Sequence, residues 1–345
     1  MRIFTAVVAG ALAVLPGCRQ PAAPVQEGWP AMGTFASIMM PAGERAHLAG
    51  NAAMARQTLQ ALEKQLSIFV PESEVSQLNR DGAVRPVALS PKVFKLLQDT
   101  CAYSRLTGGA FDFTVAPLME RWGFRGGKPP EVPLSDQEVK ELLEKVGWRH
   151  LVFGDNTVQF DRPGVRIDLG GIAKGYAVDQ CYEQLVAAGT GSLMVNLGGN
   201  IRCGGLAAPG RPWRVAVRDP FQKDHTLGTI ALGDGWALAT SGHYERFVMI
   251  RGERYAHIMD PVGGRPVKGM AGVTILAPTA MEADALSTSL FVLGPERGLA
   301  VLRKTRSEAL WVTDGTPPEF LATPGFMARF KLTARVPGGI RVVDK

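Results

Sequence analysis

Asp168-Leu169-Gly170-Gly171-Ile172-Ala173-Lys174-Gly175 is the stretch on which the reading of this chain turns. Residues 165–169 are a short apolar run with strand character. A glycine pair breaks the run, and residues 172–188 continue with helical spacing. Towards the N-terminus, helices dominate. Residues 44–66 place Leu48, Ala52, Ala55, Leu59, Leu62 and Leu66 on one face. Residues 90–107 start with Ser90 as N-cap and Pro91 at the first helical position, and residues 135–146 start with a Ser135/Glu138 capping box. Towards the C-terminus, short strands take over at 193–197, 213–217, 228–231, 237–240, 247–250 and 272–277, interrupted by helices at 280–293 and 295–305. Earlier strands are expected at 35–40, 151–153 and 157–160, and a loop over 67–79. The pattern lacks the regular strand–helix alternation of a Rossmann fold. It predicts an α+β fold with a mixed, mostly antiparallel sheet flanked by helices.

The 345 residues are 46% hydrophobic and 20% charged, enough for a large core in one enzyme-sized body. With 40 glycines and 24 prolines, many tight turns are expected. A net charge of +6 without a dense Lys/Arg run or a nucleic-acid motif reads as a solvated basic surface, and no nucleic-acid partner is expected.

Arg2 precedes an apolar run from Ile3 to Leu15, too short for a permanent membrane helix but suited to a signal peptide. Leu15-Pro16-Gly17-Cys18 is similar to a bacterial lipobox. The expected organisation is therefore a lipoprotein signal peptide over 1–17, lipidation at Cys18, a Pro/Ala-rich linker over 18–30 and one domain over 31–345. The body would sit on the periplasmic side, tethered to a membrane only through lipid. Ordinary secretion, with Cys18 incidental, is the other reading. Cys101, Cys181 and Cys203 have no CxxC spacing, so they form one disulfide at most or stay as buried thiols.

Three segments carry residue types suited to chemistry. At Gly170-Gly171 the backbone can approach an anion closely at a helix start, with Lys174 in the first turn; the same pattern also serves as a plain strand-to-helix turn. Asp284, Ser287 and Thr288 share a helix face by their i, i+3, i+4 spacing. A carboxylate with hydroxyls suits Mg²⁺, which completes its shell with water and substrate phosphates. The alternative is a dipole partner with back-bonding hydroxyls. His257, in Tyr255-Ala256-His257-Ile258-Met259-Asp260-Pro261, is either a base for a hydroxyl nucleophile or a structural residue at a strand end.

Taken together with Met32-Gly33-Thr34, Gly109-Ala110-Phe111-Asp112-Phe113-Thr114, Trp122-Gly123-Phe124, Asn196-Leu197-Gly198-Gly199 and Ser241-Gly242-His243-Tyr244-Glu245-Arg246, these segments resemble the ApbE family of FAD:protein FMN transferases. The resemblance runs from Met32 to about Gly294. It implies FAD contacts at Met32, Phe69, Ala110, Phe111, Asp112, Asp168, Lys174 and Ile258. It implies Mg²⁺ ligands at Asp284, Ser287, Thr288 and the Gly171 carbonyl, with His257 as the catalytic histidine. Phe69 stands where a tyrosine is common, Lys174 and Ser287 where some members have an acid, and His243 where Asp is frequent. The implied activity is Mg²⁺-dependent transfer of FMN from FAD to a Thr or Ser hydroxyl of another protein, with release of AMP. The implied acceptors are subunits of membrane electron-transfer complexes, such as Nqr- or Rnf-like ones. Two rival expectations keep the same cleft: an FAD pyrophosphatase giving FMN and AMP, or a non-catalytic FAD-binding lipoprotein.

Overall fold

The computed structural model describes residues 22–345, so the signal peptide expected over 1–17 and the lipidation expected at Cys18 lie outside the described residues. Its centre is a nine-stranded sheet whose strands lie side by side in chain order: Val25–Ala31, Thr34–Met40, Leu193–Leu197, Asn200–Gly204, Ala237–Gly242, Met270–Ala277, Glu308–Thr313, Phe320–Ala322 and Arg341–Val342. Every neighbouring pair is antiparallel except the last, which is parallel. The sheet is thus a meander, and the site-bearing segments are excursions between its strands.

Successive residues of a strand face opposite sides, and here both sides are covered. Val195, Ala239, Ile275 and Trp311 pack towards the helices. Met194, Leu238, Leu276 and Leu310 pack towards a three-stranded sheet of Trp213–Arg218, Thr226–Leu232 and Phe330–Leu332. Burial on both faces explains why Met270–Ala277 is an unbroken buried run rather than an alternating one. The helix layer comprises Arg45–Leu66, Ala173–Ala187 and Ala280–Leu302. The last of these breaks at Gly294 (φ 68°, ψ 179°) before Pro295, as the separate expectations for 280–293 and 295–305 require.

Four expectations change. Residues 25–31 do not belong to a linker: Val25 and Trp29 are buried, and the segment pairs in full with Thr34–Met40. Met32 (φ 48°) and Gly33 (φ 69°) close that hairpin as a two-residue turn with both φ positive. Pro30 reads as a linker residue, yet the outermost strand of a sheet tolerates it. Residues 165–169 join no sheet. Arg166 makes one isolated bridge to Val115, while the Asn79 amide occupies both backbone groups of Ile167 at 2.7 and 2.9 Å, as a neighbouring strand would. The loop over 67–79 contains the start of a helix, Glu74–Asp81, capped by Ser73 through the Ser76 amide. Finally, Ser90 precedes its helix as expected, but its hydroxyl bonds Glu74 Oε1 at 2.8 Å rather than a helix amide.

Cys101, Cys181 and Cys203 are free and buried. Burial pushes the Cys101 and Cys181 thiols up to about 12, so these are packing residues rather than nucleophiles. Among the described residues, no helix is long and apolar enough to cross a membrane.

Candidate active site

Two helices of the covering layer meet at Gly175. A Cβ there would clash with the Ala280 carbonyl oxygen and lie 2.8 Å from Asp284 Cβ, so only glycine permits this crossing. The start of the second helix is held from the first. Asp179 accepts the Ala280 and Met281 amides, both at 2.8 Å, and Arg202 donates to the same carboxylate at 2.8 Å. One turn further on, Asp284 is 5% exposed and accepts the Gly175 amide at 2.9 Å through Oδ2. Because that amide turns to Asp284, the Gly171 carbonyl four residues back, its partner in a regular helix, receives no donor among the described residues.

Above this crossing opens a cleft of about 470 Å³, the size of a small-molecule site. Its lining unites segments far apart in the chain: the Met32-Gly33 hairpin tip, Phe69, Ala110 to Phe113, Arg125, Asp168 to Gly171 with Ala173 and Lys174, Ser241 and Gly242, Glu245 and Arg246, His257 to Met259, Asp284 and Thr288. Every residue implied for FAD is in this wall, as are His257, Gly171, Asp284 and Thr288. Cys18 lies outside the described residues.

Ser287 is not in the wall. It is 1% exposed, donates to the Asp284 carbonyl at 2.9 Å and lies 2.8 Å from Ser241 Oγ. The shared helix face predicted from spacing is real, but the Ser287 hydroxyl is engaged by the Asp284 carbonyl and Ser241 beneath the cleft surface. Thr288 does line the cleft: its Oγ1 has only a long 3.4 Å contact with Ser241 Oγ, and it lies against Gly171.

The anion cradle expected at Gly170-Gly171 also changes. The Gly170 amide donates to Asp168 Oδ1 at 2.8 Å, and the Ile172 and Ala173 amides both bond the Leu169 carbonyl. The glycines instead admit side chains. A Cβ on Gly170 would lie 2.6 Å from Arg125 Nη2, and one on Gly171 would lie 3.2 Å from the Phe111 ring. The Gly171 amide has no acceptor among the described residues, and side chains add positive charge to the cleft. Arg125 Nε donates to Asp168 Oδ2 at 2.5 Å. Lys174 Nζ donates to the Gly170 carbonyl at 3.1 Å and lies 3.7 Å from Asp284 Oδ1. Arg125 is the cleft residue that sequence reasoning missed; its only signal is a lone cation within the Gly123–Gly127 glycine cluster, too common a feature to single out.

Asp112 lines the cleft, but its carboxylate is committed elsewhere. It accepts from the Thr114 amide and hydroxyl at 2.9 and 2.6 Å and from the Trp148 amide at 2.8 Å. Burial pushes its carboxyl above the usual range, and these donors oppose that shift. Phe69 is 70% exposed and borders the cleft, with the Arg125 guanidinium 6.0 Å from its ring centre. Ile258 is buried in the wall.

His257 follows the hairpin Phe247–Ile250/Glu253–Ala256. A satellite core of Leu118, Met119, Trp122, Val139, Ile250, Tyr255 and Met259 holds this region, and Trp122 Nε1 bonds the Gly264 carbonyl at 3.2 Å. The His257 ring Nδ1 lies 3.1 Å from the Arg246 carbonyl, which can only accept, so Nδ1 carries the proton and Nε2 has a free lone pair. Burial, together with the charges of Arg246, Lys174 and Arg125, pushes this imidazole down to about 4, against the bond to the Arg246 carbonyl. It is therefore a neutral acceptor at neutral pH. His243 is half-buried with a buried, unpartnered Nδ1, and nothing in the structure explains why a histidine stands there.

The oxygen donors fit one hard divalent ion. Asp284, Thr288 and Gly171, whose carbonyl is unbonded, all line the cleft, with Thr288 Oγ1 packed against Gly171. Among the described residues, no cluster of three or more His, Cys, Asp or Glu side chains forms a soft or carboxylate-rich metal site. One carboxylate with neutral oxygens is what Mg²⁺ uses when water and phosphate complete its shell.

The sequence pattern that defines the ApbE family matches residues 32–311. A curated protein of Vibrio cholerae named FAD:protein FMN transferase is 34% identical over 310 residues, covering 89% of this chain and 92% of its own length. Its Escherichia coli K12 namesake is 31% identical over 278 residues, covering 79% of each. Among solved structures, the flavin transferase ApbE from Vibrio cholerae superposes with a TM-score of 0.78 at 33% identity, covering 90% of this chain and all of that one (100%). The ApbE protein of Thermotoga maritima gives 0.81 at 32% identity, covering 89% and 99%. In sequence over most of its length, and in fold, this chain belongs to the ApbE family.

Proposed function

We propose that this chain is an FAD:protein FMN transferase that moves FMN from FAD to a Thr or Ser hydroxyl of another protein and releases AMP. The observation that carries the proposal is the pairing, in one cleft, of His257 with a free Nε2 and the oxygen donors Asp284, Thr288 and Gly171. Membership of a family whose curated relatives bear that name supports it.

In this reading FAD lies with its flavin among Met32, Phe69, Phe111 and Ile258 and its pyrophosphate towards Lys174. His257 Nε2 takes the proton of the acceptor hydroxyl as that oxygen attacks the FMN phosphorus. A new P–O bond forms to the acceptor, the P–O bond to the bridging oxygen breaks, and that oxygen leaves with AMP. The backbone bond to Nδ1 keeps Nε2 unprotonated before each transfer, a role worth about 10²–10⁴ in rate. Asp284, Thr288 and the Gly171 carbonyl would hold Mg²⁺, which supplies charge neutralisation to the pyrophosphate.

The N-terminal pattern supports a periplasmic enzyme anchored at Cys18 and acting on membrane-bound electron-transfer proteins of the Nqr or Rnf kind. The deciding experiment gives the chain FAD, Mg²⁺ and a threonine-bearing acceptor fragment. It follows AMP release and in-gel flavin fluorescence of the acceptor. AMP together with a fluorescent band, both abolished by EDTA, is the expected result. AMP without a band on any acceptor would make the chain a pyrophosphatase, and stoichiometric FAD binding without AMP would make it a carrier.

A further inference from the structure

Besides His257, the cleft wall holds three basic residues: Arg125, Lys174 and Arg246. Arg125 is held by Asp168, and Lys174 sits beside Asp284. Arg246 differs from both. Among the described residues its guanidinium has no carboxylate within ion-pair distance and makes no side-chain hydrogen bond, and the exposed Glu245 next to it does not pair with it. Its backbone, by contrast, is bound to the base: the Arg246 carbonyl accepts both the His257 amide at 3.0 Å and the His257 ring at 3.1 Å. One residue thus fixes the orientation of the imidazole through its carbonyl and brings an uncommitted cation to the same cleft.

We propose that Arg246 is a further catalytic residue of this site, gripping the non-bridging oxygens of the FMN phosphoryl group while the acceptor hydroxyl attacks; this rests on the transferase reading above. A cation already neutralised by an aspartate attracts an arriving phosphate less than an unpaired one, because the carboxylate's repulsion offsets the attraction. The guanidinium fork matches phosphate oxygens in pairs. In phosphoryl transfer the charge is spread over the equatorial oxygens, which lie next to the attacking hydroxyl and hence next to the base. A cation tethered to the base through its own carbonyl is placed for those oxygens. Lys174, near Asp284, is placed for the pyrophosphate and the departing AMP. The charge of Arg246 also acts on His257, consistent with close approach of the two groups.

The test uses the full-length chain in detergent, as wild type, Arg246→Gln and Arg246→Lys, with FAD, Mg²⁺ and a threonine-bearing acceptor fragment. Both substitutions retain the backbone carbonyl that holds His257. The single-turnover rate at saturating FAD should fall about 10²-fold in Arg246→Gln, the scale of losing one transition-state donor. The FAD dissociation constant, read from flavin fluorescence, should shift less than about threefold, so the loss falls on the chemical step. Arg246→Lys should recover part of the rate, since it keeps the charge without the fork. By NMR the His257 pKa should rise in Arg246→Gln, because a lowering charge is gone. An unchanged rate overturns the proposal. So does FAD affinity falling as far as the rate, or a loss confined to the acceptor KM. A wild-type chain that binds FAD yet releases no AMP removes the transferase reading, and this proposal with it.

Discussion

On one wall of the cleft, built from residues 168–175 and 280–288, the ionic side chains are already occupied: Asp168 holds Arg125 and the Gly170 amide, and Asp284 holds the Gly175 amide with Lys174 beside it. On the wall built from residues 245–261, His257 Nε2 and the Arg246 guanidinium have no partner among the described residues. The first wall is part of the core, where unpaired charge is costly and every group is positioned by another. The second hangs on a hairpin over a satellite cluster, half in solvent, where an unpaired group is affordable and free to react. Under the transferase reading proposed above, this division would give placement of the substrate to the helices and chemistry to the hairpin.

His257→Ala is the sharpest way to break that assignment. Transfer should fall about 10³-fold, equivalent to roughly 4 kcal/mol of transition-state stabilisation. FAD binding, seen by fluorescence, should stay within a few-fold. A variant that transfers at the wild-type rate would end the base assignment. One that transfers normally but binds FAD weakly would reverse the roles of the two walls.

Next in size is Gly175→Ala, which tests the helix wall as structure. The added methyl would press on the Ala280 carbonyl and the Asp284 side chain, so the crossing must widen. Overpacking of this kind costs about 2–3 kcal/mol, read as a lower urea midpoint with an unchanged slope. Phe247→Ala on the hairpin, half exposed in the folded state, should cost under about 0.5 kcal/mol. Equal losses at the two sites would mean that the walls do not differ in rigidity.

The same contrast marks how far sequence could be read. Long elements with strong periodicity were legible: the apolar stripe ending at Leu66, the capping box at Ser135 and the glycine break at Gly294 all stand. What failed was decided by partners distant in the chain. Asn79 replaces a strand beside Ile167, 88 positions away, and residues 25–31 become a strand only because Trp29 has a core to enter. At the site, residue identities came from the resemblance, while the directions of their side chains did not. Spacing puts Ser287 on the same face as Asp284, yet a bond to its own helix carbonyl engages its hydroxyl beneath the cleft surface. Likewise Gly170 reads as an anion cradle until Asp168 is seen to take its amide.

A smaller effect is expected in pH dependence. In the unfolded chain His257 would titrate near 6.5, but in the folded protein it is held down to about 4. Between these values the unfolded state binds the extra proton, so this group's contribution to stability is complete above pH 6.5 and is lost as pH falls towards 4. Unfolding midpoints from pH 7 to pH 4 should therefore drop less steeply in His257→Gln than in wild type. Identical slopes would place the imidazole in solvent and disconnect it from the Arg246 carbonyl.

The smallest effect separates the two hydroxyls of the aspartate helix. Thr288 lines the cleft against Gly171, whereas Ser287 points back to Ser241 and the Asp284 carbonyl. If Mg²⁺ sits at the oxygens of Asp284, Thr288 and Gly171, Thr288→Ala should raise the Mg²⁺ concentration for half-maximal AMP release by about tenfold, the scale of weakening seen when a group supporting a metal is removed. Ser287→Ala removes one back-bond from a helix that does not depend on it, and should leave the rate and Mg²⁺ requirement within about twofold. A large Mg²⁺ shift in Ser287→Ala would place Ser287 in the ligand set beside Thr288. A null result at both positions would leave Asp284 and the Gly171 carbonyl as the protein's whole contribution, with phosphate and water supplying the remaining ligands.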